Sequence, residues 1–490
     1  MTLAVILVYL ALVLAIGLLS HRLFRGTGED YFLATRTIGP FLLLMSLFGT
    51  HMTAFSLLGA AGEAYRTGVG VFALMASSSA LVVPTVIFLM APRVWSLGRH
   101  HGFLTQVQYF RERFQSDTLG LLLFVVLTAL LVPYLLIGVM GGGIAMAQIT
   151  SGQVPAWAGS LLICAVVLAY VTAGGLRGTA WANMFQTLVF MVLGAVTFVL
   201  IVDRAGGLSQ ALDAVGAAAP ELLVRGPEIP PLKLLSFTLI PLSVAMFPHI
   251  FMHWLTARRA SSFRLTVVAY PLFVAIVWVP SVLLGVLGRV AIPGLEGPAA
   301  NAVLVKMINL YAPGVMAGLL GAGVFAAVMS SLDSQVLSLG TMFTQDIVRH
   351  FGFHGRMSEQ RQVLAGRLFV VGILVVTYVL SLVTRPSIFS LGIWSFTGFA
   401  ALFPLMAGAL FWRRATRSGA IAAVLTVAFG WIYLFVSEQR AGGLPWAQDG
   451  LMPVVILLGA STLALVSVSL VTRPPGDEVL ARFFPQARQP

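Results

Sequence analysis

Charged residues are scarce in this chain of 490 residues. Only 9% of them are Asp, Glu, Lys or Arg, while 59% are hydrophobic and the mean hydropathy is +0.96. An average soluble domain carries roughly 25% charged residues. The longest polar stretch between apolar runs, residues 203–232, is too short to form a second, soluble domain. The composition therefore excludes a soluble protein and predicts one all-α polytopic membrane domain over residues 1–490.

Cysteine is nearly absent as well. Cys164 is the single cysteine and lies in an apolar run, so no intramolecular disulfide is possible and we expect an inert buried side chain. The N-terminus has no basic region before its first apolar run and no small-residue cleavage site. It is therefore interpreted as a retained first span rather than as a signal peptide.

Acidic residues are also few, 17 against 29 basic ones, which gives a net charge of +12. The basic residues lie between the apolar runs instead of clustering in one segment, which is typical of membrane topology rather than of nucleic-acid binding. We therefore expect the lipid bilayer as a partner, no nucleic acid and no obligate protein partner.

Long apolar runs are abundant, and runs of about 18 to 25 residues can each cross a bilayer. Thirteen of them are numbered here as spans 1 to 13, at residues 3–20, 38–62, 69–92, 118–147, 155–174, 184–202, 234–255, 266–288, 314–343, 367–384, 389–412, 419–437 and 451–472. With the N-terminus outside, 21 basic residues face the cytoplasm and eight face outward. This bias predicts a multi-pass protein of the plasma (inner) membrane with a cytoplasmic C-terminus.

Two of these spans contain backbone-breaking residues at membrane depth. Span 2 is interrupted by the Gly49-Thr50-His51-Met52-Thr53 segment, and span 7 carries Pro241, Ser243, Pro248 and His249. Proline removes a helix hydrogen bond, and freed backbone groups are tolerated in a membrane only where protein or a watery cavity receives them.

The two broken spans are five apart in the series and run in opposite directions. This arrangement predicts two inverted five-span repeats. The resulting division is a first span at 3–20, repeat 1 at 38–202, repeat 2 at 234–412, two C-terminal spans at 419–472 and a cytoplasmic tail at 473–490.

Span 9 carries a stripe of small and hydroxyl-bearing residues at steps of three or four, which places them on one helix face. The stripe consists of Ala327, Ser330, Ser331, Ser334, Ser338 and Thr341. Such a face is typical either of close helix packing or of an oxygen-lined ion site.

A sodium ion prefers oxygen ligands and, being monovalent, needs few carboxylates. On this interpretation the Ser330 and Ser331 hydroxyls and the Ala327 carbonyl supply one side of a sodium site. The carbonyls of Gly49 and Met52, at the break in span 2, supply the other.

Three polar residues inside the spans have both a functional and a structural interpretation. Asp333 is the only carboxylate well inside span 9, and is either a functional group or a carboxylate near the cytoplasmic end, paired with an arginine or solvated. His51 and His249 lie at the two breaks, where each either contacts a solute or is satisfied by a backbone carbonyl in a packed interior. Phe55, Phe247 and Trp394 either line a pocket or pack.

The chain contains none of the HExxH, CxxC, Walker or GxSxG motifs in a credible context, so nothing indicates an enzyme.

The residues resemble a known family, the sodium:solute symporters. The resemblance covers nearly the whole chain and rests on five segments in order, YFLATRTIGP with SLFGTHMTAFSLLGAAGEAYRTG, AGGLRGTAWANMFQ, FPHIFMHWLTARRASSFR, FAAVMSSLDSQVLSLGTMFTQDIV and GALFWRRATRSGAIAA.

The resemblance implies a LeuT-type fold, inward sodium-driven uptake of a small organic solute by alternating access, and the same sodium ligands, Gly49, Met52, Ala327, Ser330 and Ser331. By position, the implied solute-binding residues are Thr50, His51, Phe55, Ser56, Phe247, His249, Trp394 and Ser395. Many members have an Asp that helps hold a second sodium ion where this chain has Asn183, so one coupling ion is predicted.

The sequence therefore predicts a secondary transporter that couples sodium to a small organic solute such as an amino acid or a carboxylate. A proton-coupled symporter of the same fold, using His51, His249 or Asp333, is the first alternative. A transporter-like membrane sensor is the second, although the tail after span 13 is too short to hold a signalling module.

Overall fold

The fold is built from helices, as the composition predicts. A computed structural model describes residues 1–20, 36–312, 314–352, 358–384, 386–441 and 449–484, and these contain no β-strand beyond one isolated bridge. Five arginines used in the orientation argument lie outside the described residues, as do residues 485–490 of the predicted tail. They are Arg22, Arg25, Arg356, Arg385 and Arg488.

The α-helices are numbered α1 to α19 along the chain. They are α1 Thr2–Ser20, α2 Pro40–His51, α3 Ala60–Thr67, α4 Gly70–His101, α5 Gln106–Phe114, α6 Asp117–Ile149, α7 Ala156–Arg204, α8 Leu208–Ala218, α9 Pro231–Phe237, α10 Pro248–Thr256, α11 Phe263–Ala291, α12 Val303–Tyr311, α13 Gly314–Met342, α14 Glu359–Val383, α15 Ile388–Ala401, α16 Phe403–Phe411, α17 Arg417–Ala441, α18 Pro453–Val471 and α19 Asp477–Phe483. Two π-helical segments, Phe55–Gly59 and Phe343–Gly352, precede α3 and follow α13. Short 3₁₀ turns span Pro220–Leu223, Ile240–Ala245, Ala260–Ser262 and Gly297–Ala302.

Among the described residues, ten helices are long and apolar enough to cross a membrane, and two further pairs of helices form bent spans. One shorter apolar helix, Ala156–Thr172, corresponds to predicted span 5. Each predicted apolar run therefore has a helix or helix pair in the structure, while the number that crosses the bilayer stays a prediction. Large apolar side chains such as Phe88, Val268 and Phe429 are more than 60% exposed on the outside of the bundle, as a lipid-facing surface requires.

Span 2 is broken where its sequence predicts. Pro40–His51 and Phe55–Thr67 meet at 57°. Met52 ends the first half in an extended conformation, with φ −82° and ψ 121°. Thr53 begins the second half, because its Oγ1 accepts a hydrogen bond from the amide of Phe55 at 3.0 Å.

Span 7 is broken in the same manner. Pro231–Ala245 and Pro248–Thr256 meet at 52°. Pro248 stands at the first position of α10, where its missing N–H costs no hydrogen bond and its fixed φ favours a helix start. Phe247 precedes it in an extended conformation, which is the conformation that a residue before proline prefers.

The start of span 2 lies beside the end of span 7. The amide of Ile38 donates to the carbonyl of Thr256 at 3.2 Å, and the amide of Arg258 donates to the carbonyl of Ile38 at 2.9 Å. One span therefore begins where the other ends, which agrees with the opposite directions that inverted repeats require.

Span 4 packs closely against the break in span 2. A Cβ added at Gly141 would lie 2.5 Å from the Cβ of Ala54, and one at Gly143 would lie 2.3 Å from Ser160 Oγ. Both glycines therefore serve helix packing, Gly141 against the break in span 2 and Gly143 against span 5.

Helix α7 is kinked at Gly175, whose φ of 55° and ψ of −157° are accessible to glycine at little cost. The kink divides it into Ala156–Thr172 and Gly178–Arg204, corresponding to predicted spans 5 and 6.

Candidate functional site

The hydroxyl of Ser330 connects the two helices that were predicted to share a sodium ion. Its Oγ lies 2.8 Å from the carbonyl oxygen of Gly49 and 3.1 Å from that of Ala327, and donates toward both. Ser330, on α13, is completely buried, as are Gly49 and Ala327. Three of the five predicted sodium ligands therefore form one cluster of oxygen atoms between α2 and α13.

The other two predicted ligands flank this cluster. Ser331 is 1% exposed, and its Oγ donates to the carbonyl of Val328 at 3.2 Å. Met52 is 1% exposed and lies at the break that follows α2. Because a serine hydroxyl rotates freely, both serines can turn a lone pair toward a cation without any change of backbone.

Gly49 allows α2 to approach the second half of α7 very closely. A Cβ at this position would lie 2.0 Å from Thr187 Oγ1. That hydroxyl donates to the carbonyls of Asn183 and Met45 at 2.6 and 3.0 Å. Gly49 is thus packed against α7 through its Cα, while its carbonyl accepts a hydrogen bond from Ser330.

Asp333 lies in the packed interior and not at a solvated helix end. Its side chain is completely buried, the hydroxyl of Tyr170 donates to its Oδ2 at 2.8 Å, and Ser334 Oγ donates to its Oδ1 at 3.2 Å. The interpretation of Asp333 as a solvated carboxylate is therefore wrong, and none of the ion pairs within the described ranges joins it to an arginine.

Asn183 joins the same polar cluster from α7. Its Nδ2 donates to Ser334 Oγ at 2.8 Å, and Ser334 Oγ also lies 3.4 Å from Nε2 of His253. Nδ1 of His253 is 3.2 Å from Ser46 Oγ in α2. The polar cluster therefore connects α2, α7, α10 and α13 on the side of Ser330 toward the C-terminal end of α13.

Aromatic rings surround the two breaks. The ring of Phe247 stacks on His249 at 5.2 Å between centroids and contacts Tyr134 at 5.2 Å and Phe396 at 5.6 Å. Phe55 contacts Phe396 edge-on at 5.0 Å. Five rings from four spans, 2, 4, 7 and 11, therefore meet in one place.

Several buried polar atoms at the two breaks and in this aromatic cluster lack hydrogen-bond partners among the described residues. His249 is 1% exposed and neither of its ring nitrogens has a hydrogen-bond partner among the described residues, and the same holds for the hydroxyls of Thr50 and Tyr134. A buried polar group without a partner costs about 1–3 kcal/mol, so these atoms are suited to receive a polar ligand.

The remaining predicted solute residues have other surroundings. Nδ1 of His51 is hydrogen-bonded to the hydroxyl of Tyr270, and Ser56 is 2% exposed in the π-helical segment after the break. The ring of Trp394 contacts Trp431 and Phe435 in α17, at 5.9 and 5.2 Å. Ser395 Oγ donates to the carbonyl of Leu130 at 3.0 Å and so joins spans 11 and 4.

Sequence reasoning missed Tyr134 and Phe396, which belong to this ring cluster, and Tyr270, which is hydrogen-bonded to His51. None lies next to a backbone break or in one of the quoted segments, and aromatic residues are frequent in all spans. Tyr134 follows Pro133 inside span 4, which is a weak signal for a residue at a helix irregularity.

Comparisons with known proteins agree with this architecture. The sodium/pantothenate symporter of Escherichia coli is 27% identical over 486 residues, covering 96% of this chain and 97% of the relative. The sodium/proline symporter of Haemophilus influenzae is 26% identical over 503 residues, covering 97% and 95%. The substrate-bound, outward-open structure of a Na⁺-coupled sialic acid symporter superposes with a TM-score of 0.80 at 17% identity, covering 96% of this chain and 98% of the neighbour.

The structural likeness confirms the LeuT-type fold that the resemblance implied. The family model described as "Sodium:solute symporter family" matches residues 31–426, most of the chain. The chain therefore belongs to the sodium:solute symporter family and is a sodium-coupled solute transporter, not an enzyme.

Proposed function

We propose that the coupling sodium ion binds between α2 and α13, held by the carbonyls of Gly49, Met52 and Ala327 and the hydroxyls of Ser330 and Ser331. The observation that supports this proposal is the position of Ser330 Oγ, 2.8 Å from one predicted ligand oxygen and 3.1 Å from another. All these donors are neutral oxygens, which suit a hard monovalent ion. We propose one ion per transport cycle.

Binding at this position couples sodium to conformation. The ion bridges the break of span 2 and the middle of α13, which belong to different proposed repeats, 38–202 and 234–412. It favours the outward-open, solute-ready state only if it binds that state more tightly than the others. Sodium then drives uptake into the cell by alternating access, with the N-terminus outside and the C-terminus in the cytoplasm of a plasma (inner) membrane protein.

The solute binds beside the two breaks. His249 and Thr50 offer unpartnered polar atoms there, and Phe55, Phe247 and Phe396 provide apolar walls. We infer a small organic solute with both polar and apolar parts, such as an amino acid or a carboxylate. Of the eight predicted solute residues, Trp394 and Ser395 contact neighbouring helices instead of this ring cluster.

The solute class is tested by a thermal-stability screen of the purified full chain in sodium chloride and in choline chloride. The panel contains proline, pantothenate, other amino acids, simple carboxylates and sugars. We expect at least one class to stabilise the protein only in sodium. If no compound does so, and none is taken up into liposomes under a sodium gradient, the proposal is wrong.

The sodium ligands are tested by replacing Ser330 and Ser331 together with Ala. We expect the sodium concentration for half-maximal stabilisation to rise roughly tenfold or more, because each lost contact to a charged group is worth about 1.5–3 kcal/mol. Ser467→Ala is the control, since its exposed hydroxyl donates within its own helix, to the carbonyl of Leu463, and has no other hydrogen bond in the described part of the chain. An unchanged sodium dependence in the double variant would place the ion elsewhere.

Proton coupling through His51, His249 or Asp333 gives a different result. Uptake under a clamped sodium gradient at constant pH is expected to be insensitive to a protonophore. Uptake that is abolished by the protonophore under those conditions would favour the proton-coupled alternative.

A further inference from the structure

The carboxylate of Asp333 has no cationic partner among the residues that the structure describes. It is completely buried in the middle of α13, and the described ion pairs all involve other residues. A buried carboxyl group either takes up a proton or needs a compensating positive charge, because an unpaired buried charge is strongly destabilising. The proposed sodium ligands do not include Asp333.

The hydrogen bonds at Asp333 suit a carboxylate and not an amide. Tyr170 donates to Oδ2 at 2.8 Å and Ser334 donates to Oδ1 at 3.2 Å, so both oxygens accept. Asn183 donates to Ser334 Oγ at 2.8 Å and thereby leaves the Ser334 hydrogen free to point at Asp333. Tyr170 and Ser334 thus orient the Asp333 carboxylate directly, and Asn183 does so through Ser334.

The proposed sodium ligands carry no negative charge to balance the cation. Every one of them is a neutral carbonyl or hydroxyl, and Ser330, Gly49 and Ala327 are buried. A cation enclosed only by neutral oxygens at this depth has no balancing charge nearby. Asp333 follows Ser330 by three residues on the same helix, a spacing that places the two side chains about 5–6 Å apart at their Cβ atoms.

We propose that Asp333 is the counter-charge of the coupling sodium ion. It stabilises the ion through its field from one helical turn away, without being a ligand, and Tyr170, Ser334 and Asn183 hold it in that position. This inference rests on the proposed sodium site. It also explains why a chain with Asn183 in the segment before span 6 binds sodium without a carboxylate at that position.

The test is Asp333→Asn, a replacement of nearly the same shape that removes the charge. The measurement is the thermal stabilisation of the purified full chain as sodium chloride replaces choline chloride. We expect the half-maximal sodium concentration to rise roughly tenfold or more, because opposite unit charges about one helical turn apart attract strongly at an effective dielectric constant of about 20. Solute affinity measured at saturating sodium is expected to change much less.

A charge swap separates electrostatics from packing. Asp333→Asn combined with Asn183→Asp moves the carboxylate to the other side of Ser334, and is expected to restore most of the sodium affinity. If the single variant does not fold, this swap still tests the proposal. Ser338→Ala is the control on the same helix, since its buried hydroxyl has one hydrogen bond among the described residues, to the carbonyl of Gln335. Its sodium dependence is expected to match the wild type.

The outcomes distinguish this inference from the proposed function. If the wild type responds to sodium, the Ser330/Ser331 variant is impaired and Asp333→Asn is not, the counter-charge inference is overturned while the sodium site stands. A swap variant that remains as impaired as the single variant would also overturn it, because a packing role would then suffice. If the wild type itself shows no sodium response, the proposed site has failed first.

Discussion

At the scale of single residues, small side chains decide where the helices meet. Ser330 reaches the carbonyl of Gly49 only because α2 and α13 are in close contact, and α2 is equally close to α7 on its other side. Gly49 therefore serves because it has no side chain between α2 and α7, and not because glycine can adopt a positive φ. Its helical position does not require a positive φ.

Gly49→Ala is expected to destabilise the protein and to weaken sodium binding. The new Cβ would lie 2.0 Å from Thr187 Oγ1, so either this hydroxyl rotates and loses its bonds to Met45 and Asn183, or α2 and α7 move apart. Overpacking of this kind typically costs about 1–3 kcal/mol. The melting temperature with and without sodium measures both effects.

Two further variants identify the cause. Thr187→Ala added to Gly49→Ala removes the clashing hydroxyl and is expected to recover much of the lost stability. Gly194→Ala in α7 is the control, because an added Cβ there meets nothing within 4 Å. A Gly49→Ala protein as stable and as sodium-responsive as Gly194→Ala would contradict this explanation.

At the scale of elements, the short helix α5 anchors the end of span 9. Thr105 begins this helix, accepting from the amide of Gln108 at 3.0 Å, and its hydroxyl donates to Asp346 Oδ2 at 2.7 Å. Arg111 pairs with Oδ1 of Asp346 at 3.4 Å, with both side chains at most 9% exposed. Gln106 contacts Met246 at the break of span 7. One helix of nine residues, with the Thr105 that caps it, thus contacts both the π-helical segment that continues α13 and a broken span.

Arg111→Ala is expected to lower stability by about 3–5 kcal/mol, because it leaves a buried carboxylate without its partner. The melting temperature of the purified chain reports this loss. Arg482→Ala breaks a pair of similar distance, 3.0 Å to Glu112, in which both side chains are more than a third exposed. That control is expected to change stability by about 0–1 kcal/mol. Equal effects of the two variants would show that Asp346 does not depend on Arg111.

At the scale of the whole molecule, the contact between Ile38 and Ala257 places the start of one broken span beside the end of the other. The loops after spans 3 and 11 also meet, since Arg113 donates to the carbonyl of Trp412 at 3.3 Å. Both loops fall on the same predicted side of the membrane, as do the segments around Ile38 and Ala257. The internal contacts therefore agree with the alternation of sides that the basic residues predict.

Cysteine labelling checks the absolute orientation, and because Cys164 is the single cysteine, one substitution yields a cysteine-free background. In a Cys164→Ser chain, Gln153→Cys is expected to react with a membrane-impermeant maleimide on intact cells. Ser418→Cys is expected to react only after permeabilisation. Both positions are exposed, so access to the reagent decides the result. The reversed pattern would put the N-terminus in the cytoplasm.

The candidate site was only partly predictable from the sequence. Gly49, Ala327 and Ser330 were identified because backbone breaks and helix periodicity are local properties, and the structure brings these three together. Tyr134, Tyr270 and Phe396 were not, because nothing local distinguishes an aromatic ring at a site from one that packs. Trp394 and Ser395 were predicted to bind the solute but contact other helices. Trp394 contacts span 12 and Ser395 contacts span 4, and the sequence of span 11 does not specify these neighbours.

The sequence by itself determined the membrane class, the apolar runs and both breaks, because hydropathy, proline and glycine act on the chain locally. It also determined the oxygen-rich face of span 9, because the helical period is fixed. Only the tertiary structure decided that Tyr170 reaches the buried Asp333, that α5 carries Arg111 to Asp346, and that Ser330 reaches Gly49. These contacts join residues from about 160 to 280 positions apart, and such pairings depend on how whole helices pack, which no local pattern specifies.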